Sequence, residues 1–223
     1  MEAFPDANIF TGKSLSLGGN YRKHPKRRGV VVGNISAFLS KYMPTMFTPF
    51  RYPSRRIAQI ENRDEKLQLL VKDSVKKDIR VIGGIPAWID MYIAHMEKTY
   101  KKSILDIFPN LQLIVYGGSS LEHYQQSFTK KMGNKVKFWQ VYNASEGFFA
   151  FQDKENEDML LVTWRDVFYE FQDMDTGKIV PLREVEVEKE YEMLITNAAG
   201  LRRWRMGDIV RFTALRPYRI QIL

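Results

Sequence analysis

Short apolar runs recur along the first two thirds of the chain at positions that predict β-strands. They occupy residues 14–17, 29–33, 80–84, 111–116 and 136–142. Each run is only a few residues long, and a glycine or asparagine stands at its end or directly after it. This is typical of buried strands that end at a turn.

Amphipathic stretches between these runs predict helices. Asn34 is a suitable N-cap for one helix, and Asn62 or Asp64 opens a second. Pro86 suits the first turn of a third helix, and a fourth is expected at residues 121–131. Strands that alternate with helices in this way predict an α/β fold with a partly parallel sheet and flanking helices.

After about Gly147 the pattern changes to short strand candidates separated by turns. They lie at residues 148–151, 159–163, 168–172, 191–196, 211–213 and 218–223. Such closely spaced strands predict a β-rich lobe that is mainly antiparallel. We therefore expect an α/β lobe at residues 1–146 and a β-rich lobe at residues 147–223. The last strand candidate runs to the final residue with no loop or cap after it, so we expect the sequence to be truncated there.

Composition narrows the possible functions. The chain has 223 residues and no cysteine, which excludes thiol nucleophiles, cysteine-ligated zinc, iron–sulfur clusters and disulfide scaffolds. No apolar run reaches the roughly 18 residues that would cross a bilayer, and no secretory leader pattern is visible. We expect a cytoplasmic protein with no membrane partner.

The charge balance is basic, with a formal net charge of +8 and an isoelectric point near 9.5. The cations cluster at residues 22–28, 51–56 and 202–205. Such a chain can attract polyanions, yet no RNA-binding motif accompanies the clusters. We expect solvated loops and no nucleic-acid partner, with a basic binding module for RNA or an acidic partner left open as an alternative.

The first segment that could carry chemistry follows the strand candidate at 111–116. Gly117 and Gly118 allow a flat ligand or a phosphate to approach the backbone. Ser119 and Ser120 add hydroxyl groups before a helix, whose free N–H groups attract anions. The alternative is an ordinary strand-to-helix turn in which Ser120 is the N-cap.

The second segment follows the strand candidate at 136–142. Within five residues, it places the aromatic ring of Tyr142, the amide of Asn143, the hydroxyl of Ser145 and the carboxylate of Glu146. A ring can stack on a base, a hydroxyl can bind a phosphate oxygen, and a carboxylate can help to hold Mg²⁺ together with substrate phosphates. A capped turn with a solvent-facing Glu146 is the alternative.

The third segment contains Arg205, Gly207 and Asp208. An aspartate after glycine can accept hydrogen bonds from two ribose hydroxyls, although Gly-Asp is also common in ordinary turns. All three segments are expected where strands end, which is where open α/β sheets bind ligands. The three histidines show no metal-ligand spacing, and no Gly-x-Ser-x-Gly motif supports a serine hydrolase.

Taken in this order, the segments resemble the GH3 family of acyl-acid amido synthetases, which belongs to the adenylate-forming superfamily. Further similar stretches are GKSLSLGG at 12–19, GIPAWI at 84–89, FYEF at 168–171 and LRRWRMGD at 201–208. The resemblance implies part of an adenylate-forming, acyl-CoA synthetase-like large domain. It also implies that a phosphate loop precedes residue 1 and that a lysine-bearing domain follows residue 223.

The resemblance also implies roles for individual residues. The turn at 117–121 would lie along the adenine, and Tyr142 would pack on the base. Ser145 would contact the α-phosphate, Glu146 would hold Mg²⁺, and Asp208 would bind the ribose with Arg205 beside it. Pro86 and Trp88 fall where the family builds its acyl-acid pocket. Two residues depart from the usual motifs, since Asn143 replaces a smaller residue and Trp204 replaces tyrosine.

The implied reaction uses ATP and Mg²⁺ to activate a carboxylic acid as an acyl-adenylate. An amine such as an amino acid then displaces AMP and forms an amide. Without the flanking segments, the chain alone is expected to be a poor catalyst. An acyl-CoA ligase of the same superfamily, in which a thiol accepts the acyl group, is the enzymatic alternative.

Overall fold

The structure is a computed structural model that describes residues 7–119 and 121–223. The chain divides into two compact units, Met1–Trp139 and Gln140–Leu223. The boundary between the two lobes that the sequence pattern predicts lies slightly later, between residues 146 and 147.

The first unit combines a parallel sheet with helices. Its strands are β1 (Lys13–Leu17), β2 (Tyr21–Lys23), β3 (Val31–Gly33), β4 (Arg51–Tyr52), β5 (Ile79–Gly84) and β6 (Leu113–Tyr116). Its helices are α1 (Ile35–Tyr42), α2 (Arg55–Ala58), α3 (Arg63–Ser74), α4 (Pro86–Tyr100), α5 (Ile104–Ile107) and α6 (Glu122–Met132), with 3₁₀ segments at Ile9–Thr11 and Thr45–Phe50. Strands β4, β1, β5 and β6 pair side by side and in parallel. This confirms the predicted partly parallel sheet with flanking helices.

The helices α1, α3, α4 and α6 begin at or within two residues of the positions that the sequence predicts, whereas the short helices α2 and α5 were not predicted. Asn34 occupies the N-cap position of α1, but its side chain makes no capping hydrogen bond. The Asn62 side chain accepts hydrogen bonds from the backbone N–H groups of Asp64 and Glu65 and so caps α3. Pro86 occupies the first turn of α4, where its missing N–H costs nothing. Apolar positions of α4 face the sheet, and Ile89 and Met96 are completely buried.

The strand β7 (Lys137–Ala144) contains the boundary between the units. The other strands of the second unit are β8 (Gly147–Phe151), β9 (Met159–Leu161), β10 (Val167–Asp173), β11 (Ile179–Pro181), β12 (Glu190–Asn197), β13 (Trp204–Leu215) and β14 (Tyr218–Ile222), with a 3₁₀ turn at Leu182–Glu184. The pairing order β11-β10-β12-β13-β14-β9-β8-β7 is antiparallel throughout. The predicted antiparallel, β-rich second half is therefore confirmed.

Aromatic side chains fill the core of the second unit. Phe149, Phe171 and Phe212 are completely buried, and the rings of Phe171 and Phe212 meet edge to face at 5.0 Å. The burial of β10 alternates, with Tyr169 and Phe171 facing inward. This alternation is the period of two that a sheet with one buried face requires.

One local prediction was wrong. The segment around Arg205 and Asp208 was expected beyond the end of a strand, but it lies inside β13, which begins at Trp204. The pairing of β12 with β13 shifts register between Glu192 and Leu194, and Gly207 has a φ of +77°. The Gly-Asp pair therefore forms a strand irregularity of the bulge type rather than a free turn. The short strands β2, β4 and β11 were not predicted as separate elements.

Candidate functional site

The connection between β7 and β8 is a tight turn that presents two candidate residues. Ala144 pairs with Gly147, so Ser145 and Glu146 are the two residues of the turn. Ser145 is exposed and Glu146 is half-buried. The predicted location of both residues at the end of a strand is confirmed, whereas their roles stay predictions.

Gly147 leaves space for the aromatic packing beneath this turn. A Cβ atom at position 147 would lie 2.9 Å from the ring of Phe149. That ring is completely buried and contacts the ring of Tyr142, with centroids 5.1 Å apart. The hairpin can therefore turn directly above a close-packed ring that supports Tyr142.

Tyr142 connects the hairpin to β13. Its hydroxyl donates a hydrogen bond of 2.5 Å to Oδ2 of Asp208, although the two residues are 66 positions apart in the chain. Only 5% of Tyr142 is exposed. Burial raises the pKa of Tyr142 well above its ordinary value, and the hydrogen bond to Asp208 and the nearby carboxylate of Glu146 raise it further. The phenol therefore remains a protonated donor at any physiological pH.

Asp208 is half-buried, and its position depends on the irregularity in β13. Gly207 adopts the left-handed backbone conformation, with a φ of +77°, which glycine adopts without steric cost. A bulge turns the following side chain relative to a regular strand. The side chain of Asp208 is in this way available to Tyr142.

Arg205 is engaged by other residues of the second unit. Its guanidinium forms an ion pair with Glu192 and donates a 2.6 Å hydrogen bond from Nη2 to Oε1 of Gln172. Hydrogen bonds from Arg205 lower the pKa of Glu192 below its ordinary value. The predicted contact of Arg205 with a nucleotide therefore stays a prediction, since in this structure the side chain ties β13 to β12 and β10.

Asn197 fixes the backbone of the hairpin turn, and the sequence reasoning missed it. Its Nδ2 donates to the carbonyl of Glu146 at 3.1 Å, and its Oδ1 accepts from the N–H of Leu201 at 3.2 Å. The single amide thus joins the turn of residues 145–146 to the loop between β12 and β13. A signal was present, because Asn197 directly follows the strand candidate at 191–196, and asparagine is common where a strand gives way to a turn.

The glycine segment of the first unit directly follows β6, as predicted. Gly118 has a φ of +79°, and a Cβ atom there would lie 3.5 Å from the side chain of Ile85. The turn of Gly117, Gly118 and Ser119 is therefore next to the start of α4. Ser120 lies outside the described residues. The predicted adenine contact of this turn stays a prediction.

Trp88 and Pro86, the two predicted acyl-binding residues, have different surroundings. Trp88 lines a cavity of about 360 Å³ within the first unit, together with Leu67 and Leu70 of α3 and Met91 of α4. Pro86 is buried at the first turn of α4 and is not part of this lining. The charged side chains of Glu61, Arg63, Asp64 and Lys66 also contribute to the cavity wall.

The ammonium group of Lys66 is held at one side of this cavity. Its Nζ donates hydrogen bonds of 2.9 Å to the carbonyls of Gly18 and Ala58. Burial lowers the pKa of Lys66. The cavity therefore combines an apolar wall with a fixed cation, a combination that suits a small molecule with an apolar body and a polar end.

The carboxylate of Glu146 is the predicted metal ligand. Neither a hydrogen bond nor an ion pair to this carboxylate is formed within residues 7–119 and 121–223. The same described ranges contain no group of three or more acidic or histidine side chains that could enclose a metal ion. A metal bound here would therefore need further ligands from a substrate, which is the usual arrangement for Mg²⁺.

The second unit thus brings together three predicted residues, of which Asp208 is more than 60 positions from Tyr142 and Glu146 in the sequence. Tyr142 and Asp208 are in direct contact, and Glu146 is close enough for its charge to affect the ionisation of Tyr142. Asn143 is half-buried on β7 next to Tyr142.

In the described ranges, no helix is both long and apolar enough to span a membrane.

Comparison with known proteins points to one family. Residues 160–223 match the sequence model of the GH3 family central domain. The chain is 31% identical over 121 residues to a probable indole-3-acetic acid-amido synthetase, GH3.1, of Arabidopsis thaliana, an alignment with 51% of this chain and 20% of that protein. It is 32% identical over 120 residues to the jasmonoyl–L-amino acid synthetase JAR4 of Nicotiana attenuata, covering 48% of this chain and 21% of that protein. The chain thus spans about a fifth of these curated relatives.

Solved structures show the same fold over most of the chain. GH3.15 acyl acid amido synthetase superposes with a TM-score of 0.75 and 12% sequence identity, over 96% of this chain and 49% of that chain. A 2-hydroxyisobutyryl-CoA ligase, solved with its acyl-adenylate 2-HIB-AMP and CoA, superposes with a TM-score of 0.61 and 12% identity over 91% of this chain and 44% of that chain.

The partly parallel α/β unit and the antiparallel unit together have the fold of adenylate-forming enzymes of the GH3 and acyl-CoA ligase type. The GH3 match at residues 160–223 contains Asp208 and the strands that position it. The chain is accordingly similar to GH3 acyl-acid amido synthetases, in sequence over residues 160–223 and over about half of its length in the curated proteins, and in fold over most of its length.

Proposed function

We propose that this chain supplies nucleotide-binding residues of a ligase that joins a carboxylic acid to an amine such as an amino acid, with ATP as the energy source. The hydrogen bond between Tyr142 and Asp208 is the observation that carries the proposal. It unites two of the positions that the GH3 resemblance assigns to the nucleotide. The names of the curated relatives, which describe acid–amino acid synthetases, support the reaction class.

The reaction proceeds in two displacements. A carboxylate oxygen of the acid attacks the α-phosphorus of ATP, the bond to the bridging oxygen breaks, and pyrophosphate leaves. The amine nitrogen then attacks the acyl carbon, loses a proton and displaces AMP, which leaves an amide. The first step brings two anions together, so fixed donors and cations must offset the charge that accumulates on the phosphate.

Asp208 is placed to bind the ribose in this proposal. Its carboxylate offers acceptor sites to two neighbouring hydroxyls, and only Oδ2 is used by Tyr142. The half-buried position excludes part of the competing water, which strengthens a charge-assisted hydrogen bond. Asn143, which is half-buried on β7, would lie beside the nucleotide.

Glu146 and Ser145 would contact the phosphate end of the nucleotide. Mg²⁺ favours one or two carboxylates together with substrate phosphates, and the Glu146 carboxylate, which has no partner among the residues that the structure describes, fits that requirement. When bound, the ion would neutralise charge on the phosphates. The exposed Ser145 hydroxyl would donate to an α-phosphate oxygen, and the Asn197 amide would keep the turn in place.

The cavity beside Trp88 is the proposed acyl site. Its volume of about 360 Å³ lies at the lower end of the range for small-molecule sites. Trp88, Leu67 and Met91 would contact the apolar part of the acid. Replacement of Trp88 by alanine should weaken binding of the carboxylic acid while nucleotide binding is unchanged. The proposed partners are a small carboxylic acid and an amine, and the proposed location is the cytoplasm. Neither a nucleic acid nor a membrane is part of the proposal.

Nucleotide binding tests the proposal directly. Isothermal titration of the chain with Mg-ATP should show binding that Asp208→Asn and Glu146→Gln each weaken, while Glu170→Gln, at an exposed ion pair with Arg203, serves as the control. In a protein that also carries the remaining GH3 segments, Glu146→Gln should slow ATP–pyrophosphate exchange at least about tenfold, or about 1.4 kcal/mol of barrier. Unchanged exchange would remove Glu146 from the mechanism.

An acyl-CoA ligase is the second candidate, favoured by the structural similarity to 2-hydroxyisobutyryl-CoA ligase. The first displacement would be the same, and a thiol would then accept the acyl group. A product assay that offers amino acids and coenzyme A in parallel separates the two. Amide products support the amido synthetase, and a thioester supports the ligase.

A further inference from the structure

We infer that Tyr142 is a positioning residue whose hydroxyl orients the carboxylate of Asp208 for the ribose hydroxyls. This inference rests on the proposed function of Asp208 as the ribose acceptor. It gives Tyr142 a task in addition to the base contact that the GH3 resemblance implies, and that task depends on the hydroxyl rather than on the ring.

The geometry makes Tyr142 the anchor of Asp208. The phenol oxygen lies 2.5 Å from Oδ2, and no second hydrogen bond or ion pair to this carboxylate is formed among the described residues on either side of position 120. A carboxylate on a half-buried strand with one anchor keeps a single rotamer only while that anchor is present. The hydrogen bond from Tyr142 to Oδ2 therefore also fixes the orientation of Oδ1.

A tyrosine hydroxyl suits this task for electrostatic reasons. It donates a strong hydrogen bond to a carboxylate without neutralising it, as an arginine or lysine would. The hydroxyl therefore brings no positive charge beside the carboxylate that would bind the ribose hydroxyls. Burial and the bond to Asp208 raise the pKa of the phenol, so the hydroxyl is a protonated donor at neutral pH.

A second buried tyrosine shows what an ordinary structural hydroxyl does in this core. Tyr169 is 4% exposed and donates to the backbone carbonyl of Val162 at 3.0 Å. Tyr142 is 5% exposed but donates to a side-chain carboxylate that solvent reaches. The two tyrosines contact the same ring, Phe149. Tyr169 is therefore a matched control for the loss of one buried hydroxyl.

The experiment compares AMP with 2′,3′-dideoxy-AMP, which lacks the ribose hydroxyls. Both are titrated in magnesium buffer against the unsubstituted chain, Tyr142→Phe and Tyr169→Phe. The unsubstituted chain and Tyr169→Phe should prefer AMP, and Tyr142→Phe should lose about tenfold in AMP affinity, which is the scale of one hydrogen bond to a charged group. Affinity for the dideoxy nucleotide should be unchanged in Tyr142→Phe, because the ring is retained.

The outcomes separate the inference from the proposed function. A preference for AMP that survives in Tyr142→Phe overturns the inference alone. An equal loss for both nucleotides also overturns it, since it would indicate a general structural effect. If the unsubstituted chain binds neither nucleotide, or does not distinguish them, the ribose role of Asp208 fails and the inference fails with it.

A spectroscopic readout tests the hydrogen bond without any nucleotide. The hydroxyl proton of a buried tyrosine that is bonded to a carboxylate is shielded from exchange with water and should give a downfield proton resonance. We expect such a resonance in the unsubstituted chain and in Tyr169→Phe, and its loss in Tyr142→Phe. Its persistence in Tyr142→Phe would assign it to another group and overturn the anchor.

Discussion

Removing the acceptor of the Tyr142 hydroxyl should destabilise the second unit in a way that depends on the replacement. Asp208→Asn retains a side-chain oxygen within reach of the phenol, whereas Asp208→Ala retains none. The hydroxyl belongs to a residue that is only 5% exposed, so water can replace the lost acceptor only in part. The two substitutions therefore differ mainly in whether a buried donor is left unpaired.

The size of the effect follows from that difference. An unpaired buried hydroxyl costs about 1–3 kcal/mol, whereas exchange of a charged acceptor for a neutral one costs about 1 kcal/mol. With about 2 kcal/mol for the unpaired hydroxyl, Asp208→Ala should thus lower the free energy of unfolding by about 1 kcal/mol more than Asp208→Asn. Both substitutions should weaken nucleotide binding, because both remove the negative charge.

Urea unfolding followed by circular dichroism measures the difference, provided that the slopes of the transitions agree. The double variant Tyr142→Phe with Asp208→Ala is the sharper test. It removes donor and acceptor together, so it should recover most of the loss caused by Asp208→Ala alone. Equal stability of the two Asp208 variants, or a double variant in which the two losses simply add, would refute the assigned hydrogen bond.

Three further predictions concern the residues around this bond. Asn197→Asp keeps the acceptor for the Leu201 N–H and loses the donor to the Glu146 carbonyl. It should therefore cost about 1 kcal/mol of unfolding free energy, against about 2 kcal/mol for Asn197→Ala, as measured by urea unfolding. Equal costs would contradict the conclusion that the amide both donates and accepts. The pKa of Glu192 is lower in the folded protein than its unfolded value of about 4.3, so the ion pair with Arg205 stabilises the fold fully above that pH and is lost as the pH falls through the folded pKa. Glu192→Gln should therefore flatten the acid side of a profile of melting temperature against pH. An unchanged profile would exclude a stabilising Glu192–Arg205 ion pair. Gly147→Ala places a Cβ 2.9 Å from the Phe149 ring and should cost about 1–3 kcal/mol and weaken nucleotide binding, whereas a silent substitution would show that the turn can relax.

The alternation of apolar and polar positions was sufficient to predict most of the fold. The strand β5 and the helix α4 lie where Gly84 and Pro86 divide an apolar stretch, because those residues have strong local preferences. The strands β2, β4 and β11 are two or three residues long. Their pairing depends on partners distant in sequence, so a local pattern does not predict them.

The segment at Asp208 shows why a local motif can mislead. Gly-Asp is common in turns, and that statistical preference suggested a free turn. The pairing of β13 with β12 and β14 outweighs this preference and keeps the segment in the sheet, with the left-handed conformation of Gly207 absorbed as an irregularity. Only the neighbouring strands determine that outcome.

The candidate site was predictable in its residue types but not in its contacts. Tyr142 was selected for its aromatic ring and Asp208 for its carboxylate, yet the hydrogen bond between the Tyr142 hydroxyl and Asp208 is a tertiary contact that the sequence did not predict. Asn197 was missed for the same reason, since its amide acts on the backbone of Glu146, which is 51 positions earlier in the chain. Arg205 was selected because the GH3 resemblance implies a place for it beside Asp208, and its partner Glu192 lies on the adjacent strand.

A crystal structure of the chain soaked with AMP and magnesium tests the central claim most directly. The account predicts the ribose hydroxyls on the carboxylate of Asp208, with Tyr142 still bonded to Oδ2, and the phosphate against the turn of Ser145 and Glu146. A nucleotide bound at another place, with Asp208 in contact with Tyr142 alone, would contradict it.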